Sequence, residues 1–342
     1  LKTAVVILNW NGREFLEKFL PGVIAHSAGE AEIIVADNDS ADDSLAFLEA
    51  AHPGIRIIRL DKNYGFAGGY NRALKQVDAE YFILLNSDIE VTENWITPVI
   101  RLMESDASIA ACQPKIRSYK EPEQFEYAGA AGGFIDKYGY PFCQGRLFQH
   151  IENDEGQYDQ AREVFWATGA CLFVRSVVFT QLGGFDDDFF AHMEEIDLCW
   201  RAKNQGYKIM YCPESTIFHI GGGTLPKKNS RKTYLNIRNN IIMLYKNLEP
   251  GRLLSVMLAR FILDGVAAMK FLVDGGFKDM FAVFKAHIYF WSHLYLLRKK
   301  REKIPHHRVS EIYWGNIVVE HYLRRKKSFG QLDPERFTKN PR

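Results

Sequence analysis

Asn86-Ser87-Asp88 follows directly on the apolar run Tyr81-Phe82-Ile83-Leu84-Leu85, so a strand ends by delivering a carboxylate into a loop. Hard divalent ions such as Mg2+ or Mn2+ are held in such places by carboxylate oxygen, with substrate phosphates completing the shell. Asp88 alone has an ordinary explanation, because strands commonly end in turn-forming Asn, Ser and Asp. Its weight comes from Val35-Ala36-Asp37-Asn38 upstream, and from Glu194-Glu195-Ile196-Asp197 and His219 downstream. His219 closes a short apolar strand before Gly221-Gly222-Gly223 and is either a structural histidine or a second ligand for the ion.

Two further groups of residues give that corner a substrate. Asp37 ends an apolar stretch, where its carboxylate either caps the following helix or accepts hydrogen bonds from a pyrimidine base or ribose. Asn63-Tyr64-Gly65-Phe66-Ala67-Gly68-Gly69-Tyr70-Asn71 is a glycine-rich turn entering a helix. Its glycines admit close approach of a phosphate or sugar, and the helix start offers unpaired N–H groups. The spacing is not GxGxxG and the turn follows the third strand, not the first, which counts against a dinucleotide cofactor.

The acceptor side is the acidic stretch Phe185 to Arg201, with Glu194, Glu195 and Asp197 at a helix start. An acidic first turn is favoured by the helix dipole whatever the function. A run of carboxylates beside Trp166-Ala167-Thr168-Gly169-Ala170, an aromatic-and-small segment suited to stacking a sugar ring, asks for more. A carboxylate here could take the proton from an acceptor hydroxyl as general base while a diphosphate leaves from the opposite face. That is a single displacement with inversion at the anomeric carbon.

The elements that must hold these residues alternate. Residues 4–8, 33–36, 55–60 and 81–85 read as strands, separated by helical spacing over 13–28, after 40–43 and over 65–77. Such repeated βα units predict an α/β fold, a doubly wound, mostly parallel sheet with its ligand at the strands' carboxyl ends. Residues 112–158 read as hairpins and loops, 164–175 as a strand or hairpin, 194–206 as a helix, and 209–212 and 216–219 as two short strands. Residues 221–230 read as a mobile loop or boundary. Beyond Arg231 long helices dominate, and 252–273 and 277–297 are apolar-rich yet interrupted by charges, with no run long enough to span a bilayer. Arg298-Lys299-Lys300-Arg301 and Arg324-Arg325-Lys326-Lys327 follow. This extension suits either an anionic membrane surface or an ordinary helical interface with a basic rim.

Composition sets the outer bounds. The chain has 342 residues, 47% hydrophobic and 25% charged, and a net charge of +1, which gives no global attraction to nucleic acid. Five cysteines without metal-binding spacing predict buried, reduced thiols. The first strand has no secretory segment before it, which predicts a cytoplasmic location at the inner face of the membrane.

The motifs together resemble the family 2 glycosyltransferases of GT-A fold. The matching segments are VVILNWNG (5–12), VADNDSADDS (35–44), NYGFAGGYN (63–71), LLNSD (84–88), WATGACLFVR (166–175), GGFDDDFFAHMEEIDLCWR (183–201) and FHIGGGT (218–224). Within the family the likeness is to rhamnosyltransferase-like and galactofuranosyltransferase-like members that build surface polysaccharides. The resemblance implies that Asp37 contacts the donor base, that Asn63 and Gly68-Gly69 line the donor site, and that Asp88 and His219 bind Mg2+ or Mn2+. Glu195 becomes the base, with Glu194 and Asp197 as its neighbours. Asn9, Asn11, Gly65, Asn71 and Asn86 complete the expected donor site, and Trp166, Thr168 and Gly169 the acceptor site. Asn86 stands where a fuller DxD motif has its first Asp, and Glu-Glu replaces the commoner Glu-Asp. The expectation is an inverting, metal-dependent transferase over residues 1–225 with a helical region over 226–342. It moves a sugar from dTDP-rhamnose or a UDP-sugar to a glycan or lipid-linked acceptor, with room for an oligomer. The alternative is a catalytically silent scaffold that binds nucleotide sugar or glycan in an assembly complex.

Overall fold

A computed structural model describes residues 2–221 and 229–339. The expected loop at 221–230, its Gly222-Gly223 pair and the boundary near 225 fall largely on 222–228, outside the described residues. Strands β1 (Thr3–Asn9), β2 (Ala31–Asp37), β3 (Arg56–Arg59) and β4 (Tyr81–Asn86) alternate with α1 (Arg13–Ser27), α2 (Ser44–Ala51) and α3 (Gly65–Leu74). These four strands run parallel in the spatial order β4-β1-β2-β3. In β1, Ala4 and Val6 enter one core while Val5 and Ile7 enter the other. A strand covered on both faces has no use for polar alternation, hence its unbroken apolar run.

Next come β5 (Ile89–Val91), α4 (Thr97–Ser105) and β6 (Ile109–Ser118). The hairpin region expected over 112–158 folds as a small second sheet from β7 (Gly133–Asp136), β8 (Pro141–Cys143), β9 (Arg146–Leu147) and β10 (His150–Ile151). The chain then re-enters the main sheet through β11 (Arg162–Val164) and β12 (Cys171–Arg175), which is antiparallel to β4. After α5 (Ser176–Gln181) and α6 (Glu194–Asn204), β13 (Lys208–His219) completes the order β11-β13-β6-β12-β4-β1-β2-β3, with β5 paired to β13. The two short strands expected at 209–212 and 216–219 are this one strand. Its register against β6 shifts between Cys212 and Thr216, where Pro213 has no N–H to give the ladder.

Helices α7 (Ser230–Asn247), α8 (Pro250–Val273), α9 (Phe277–Ser292) and α10 (Leu294–Arg301) form the expected helical extension. Its last part differs from expectation: β14 (Ile312–Tyr313) pairs with β7 in the small sheet before α11 (Ile317–Tyr322). Two residues carry too little pattern to be read as a strand in isolation. All five cysteines are buried and unpaired, as their spacing predicts.

Candidate donor, metal and base site

Parallel register brings the ends of three strands level. Asn9 lies opposite Asp37, and Leu8 opposite Asn86, so Asn9, Asp37 and Asn86 share the carboxyl edge of the sheet. Asp37 is buried and accepts hydrogen bonds from Asn9 Nδ2 at 3.1 Å and from the Ser40 amide at 3.1 Å. Asn11 takes part in the same turn, its Oδ1 accepting from the Ala41 amide at 2.7 Å. Asn9 Oδ1 has no partner although it is buried, so this pocket holds a free acceptor.

The neighbouring turn is organised by a residue that the sequence motifs did not single out. Asn38 is buried, accepts from the Tyr64 amide at 3.0 Å, and donates to Gly65 O at 3.0 Å and Asn63 Oδ1 at 3.2 Å. Its one signal is its place directly after Asp37 in VADNDS. Asn63 Oδ1 also accepts from the Gly65 amide at 2.8 Å. Gly65 has φ +71° against Phe190, and a Cβ on Gly69 would lie 2.9 Å from Leu8, so both positions require glycine for close packing. The free N–H groups expected at the start of α3 are in use. Phe66 N and Ala67 N both donate to Phe190 O, at 2.7 and 3.2 Å. Gly68 packs between Tyr64 and Arg72. Asn71 clasps the following loop, accepting from Phe185 N at 2.9 Å and donating to Phe185 O at 2.9 Å.

The candidate metal corner lies where β5 meets β13. Register sets His219 opposite Ile89, and His219 Nε2 is 3.1 Å from Asp88 Oδ1. On the ring's other side Nδ1 stands 3.3 Å from Glu126 Oε2, without the alignment of a hydrogen bond. All three side chains are buried. Burial opposes the ring's charge, but the hydrogen bond to Asp88 and the adjacent carboxylates of Asp88 and Glu126 outweigh it and push the imidazole up to about 10. Two carboxylates about one ring favour a cation here, and a divalent ion on the imidazole would require the ring in its neutral form. Glu126 has no motif around it, and only folding of the region after β6 reveals it as the third member. Among the described residues no three His, Cys, Asp or Glu side chains are arranged to hold a metal unaided. Asp88 oxygen with one imidazole fits a divalent ion that takes its remaining ligands from a diphosphate.

The expected base lies across Gly169. A Cβ on Gly169 would sit 3.0 Å from Phe66 and 3.8 Å from Glu195 Cβ, and the adjacent Ala170 O accepts from Asn86 N at 2.9 Å. Gly169 and Ala170 thus lie between Glu195 and the end of β4. Glu195 is partly exposed, whereas Glu194 is buried. Burial raises the Glu195 carboxyl to about 7, against the pull of backbone hydrogen bonds. Burial, reinforced by Glu195 and Asp197, drives Glu194 well above the ordinary carboxylate range. Each has a buried Oε2 without a partner.

The loop that presents α6 is strained: Phe190, His192 and Met193 all have positive φ, at 63°, 71° and 71°. Side chains in that region cost on the order of 1 kcal/mol each and persist only where neighbours hold them. The holders come from α7. Asn239 Nδ2 donates to Phe189 O, Ala191 O and His192 O at 3.0, 2.9 and 2.7 Å, and Arg238 Nη2 donates to Asp188 O at 2.6 Å. Polar residues recur along the whole of α7, so nothing in its pattern sets Arg238 and Asn239 apart.

Three of the expected site residues have structural partners in the fold. Trp166 is buried, donates its indole N–H to Phe134 O at 3.0 Å and packs on Gly133, so it joins the two sheets and has no face for a sugar. Thr168 is buried too, its amide donating to Gln113 Oε1 at 2.9 Å. Asp197 is held in a buried ion-pair network. Its oxygens accept from Arg201 Nε at 2.8 Å, Lys246 Nζ at 3.0 Å and Asn247 Nδ2 at 2.8 Å. Burial opposes its ionisation, but Lys246 and Arg201 hold it below the usual range. Asp197→Ala should leave the buried Arg201 without a carboxylate and Lys246 with Asp186 alone, and lower stability by roughly 3–5 kcal/mol. Thermal unfolding checks this; an unchanged melting temperature with weakened acceptor binding would return Asp197 to the acceptor site.

Comparison with known proteins agrees with this architecture. The glycosyl transferase family 2 profile matches residues 4–183. An N-acetylglucosaminyl-diphospho-decaprenol L-rhamnosyltransferase of Mycobacterium tuberculosis is 26% identical over 233 residues, covering 63% of this chain and 75% of the relative. A dTDP-rhamnosyl transferase, RfbF, of Shigella flexneri is 26% identical, covering 64% and 72%. The crystal structure of GalNAc-T7 with UDP, GalNAc and Mn2+ superposes with a TM-score of 0.58 at 17% identity, over 73% of this chain and 48% of that one. The fold is of GT-A type. With its strand-end carboxylates and its family match spanning more than half its length, the chain belongs to glycosyl transferase family 2 and is a glycosyltransferase.

Proposed function

We propose that the protein is an inverting transferase that moves a sugar, from dTDP-rhamnose or a UDP-sugar, to a lipid-linked or glycan acceptor in surface polysaccharide synthesis. The observation that carries this reading is the approach of Glu195, through Gly169 and Ala170, to the end of β4, whose next residues lead to Asp88 and His219. Asn9, Asp37, Asn38 and Asn63 would receive the nucleoside. The relatives' activities, transfer of rhamnosyl groups, support the donor class and the lipid diphosphate acceptor.

Asp88 and His219 would hold Mg2+ or Mn2+, which supplies charge neutralisation for the departing nucleoside diphosphate. The Mn2+ named with GalNAc-T7 supports that choice. Glu195 would take the acceptor hydroxyl's proton as the oxygen bonds to the anomeric carbon and the bond to the diphosphate oxygen breaks on the opposite face. A carboxyl held near 7 is a stronger base than a solvated one and is still largely ionised slightly above neutrality.

The test is nucleoside diphosphate release from a panel of nucleotide sugars, with manganese, magnesium or chelator, and with lipid extract as acceptor. We expect metal-dependent release from one donor that requires the extract. Binding of a donor without turnover under every condition would instead mark a silent nucleotide-sugar scaffold.

A further inference from the structure

Helix α8 is inverted with respect to water. Its inward side carries Arg260 and Asp264, both almost wholly buried and paired at 2.9 Å. Arg260 also lies over Tyr140 at 3.9 Å, and His287 of α9 meets Asp264 at 3.2 Å. The outward side carries Ile262, Val266 and Met269, and α9 continues that surface with Phe284, Ile288 and Trp291, all more than half exposed. Steps of three and four residues keep each set on one helical face. The stripe extends along both helices, from Leu254 to Val273 and from Phe277 to Trp291. A continuous apolar surface of this extent marks an interaction face, not scattered surface hydrophobics.

We propose that this face docks on an anionic lipid bilayer, lying in the headgroup boundary without crossing it. Among the described residues no helix is long and apolar enough to span. Charge around the stripe selects the occupant. From α8 to the end of α10 the exposed cations are Lys270, Lys278, Lys285, Arg298 and Lys299; Lys270 pairs with Asp274 and Arg298 with Glu302, so Lys278, Lys285 and Lys299 carry the excess positive charge. Long basic side chains at the edge of an apolar stripe lay their stems on lipid and their charges among anionic headgroups, and interfacial Trp suits the same depth. An isologous contact with a second copy would instead bring this net-positive rim against itself.

Two of the four basic residues at 298–301 do other work. Lys300 binds Asp188 at 2.6 Å and also Asp186, while Arg301 donates to Tyr245 O at 2.6 Å. The expected membrane cluster is therefore halved at its own position, and the wider rim replaces it. Through Lys300, α10 ties the docking face to the loop that presents Glu195.

Vesicle co-sedimentation of the full chain tests this, using phosphatidylcholine alone or mixed with phosphatidylglycerol. It needs no nucleotide sugar, so its outcome and that of the transfer assay are independent. We expect binding to the mixed vesicles that weakens with salt and is far lower on the neutral ones. Ile262→Glu with Ile288→Glu should reduce binding at least about tenfold while leaving the melting curve intact, since both side chains already face solvent. Lys278→Glu with Lys299→Glu should cost about fivefold or more per residue. Equal binding to both vesicle types, or binding untouched by the isoleucine pair, would overturn the proposal. So would absent binding together with a dimer that the isoleucine pair dissolves, which would give the face to a second copy.

Discussion

Glu195→Gln should keep donor binding and lose transfer by roughly a hundred- to ten-thousandfold, the loss typical of removing a general base. Donor affinity by calorimetry and turnover by diphosphate release separate the two effects. The same carboxyl predicts a pH profile. Because burial lifts it to about 7, kcat/KM should fall as pH drops below that value, with a limb that Glu195→Gln abolishes. Stability should move the other way. The folded carboxyl holds its proton to higher pH than the unfolded one, so the native state binds more protons between about 4.5 and about 7. Stability is then lost as pH rises through that window. Glu195→Gln should consequently melt above wild type at pH 8 and lose the advantage below pH 4.5. Full transfer in the variant would move the base to Glu194, whose carboxyl is shifted further and whose side chain is more deeply buried.

Asp88→Ala should leave the fold intact and reduce transfer by about a thousandfold, as expected when a site loses several kcal/mol of stabilisation on the leaving diphosphate. The side chain sits in the turn between β4 and β5 and meets the rest of the chain mainly through His219. His219 keeps Glu126 within 3.3 Å after the change, so the variant does not strand the ring alone. Manganese titration in the presence of nucleoside diphosphate is the companion measurement. Weakened binding alongside lost turnover supports Asp88 as the ligand. Normal turnover would remove it from the site and leave the Asp88–His219 pair as a structural tie between β5 and β13.

The parts of this protein legible in its sequence are those in which one residue type answers one local demand. Strands buried on both faces show as apolar runs, so β1, β2 and β4 and the polar residues at their ends could be located without coordinates. The acidic entry to α6 and the glycines at 65 and 69 were readable for the same reason. What escaped depends on distant partners. Asp197 lies two residues from the proposed base, yet Lys246, far along the chain, fixes its charge and withdraws it from the site. Trp166 has the composition of a stacking platform, but the small sheet covers it, and that sheet is closed by a strand only two residues long. Glu126 and Asn239 lacked a signature because buried hydrogen-bonding residues are defined by what surrounds them.

The hold of α7 and α10 on residues 186–193 has a consequence for protein engineering and for divergence. The stretch that carries the recognisable motifs is not a detachable cassette. A chimera joined near residue 225 would inherit the strand-end polar residues whole, yet its α6 would depend on a foreign helix to satisfy the carbonyls that Asn239 and Arg238 now meet. New acceptor preferences are therefore more easily reached by substitutions within the existing helices than by exchanging them as a block.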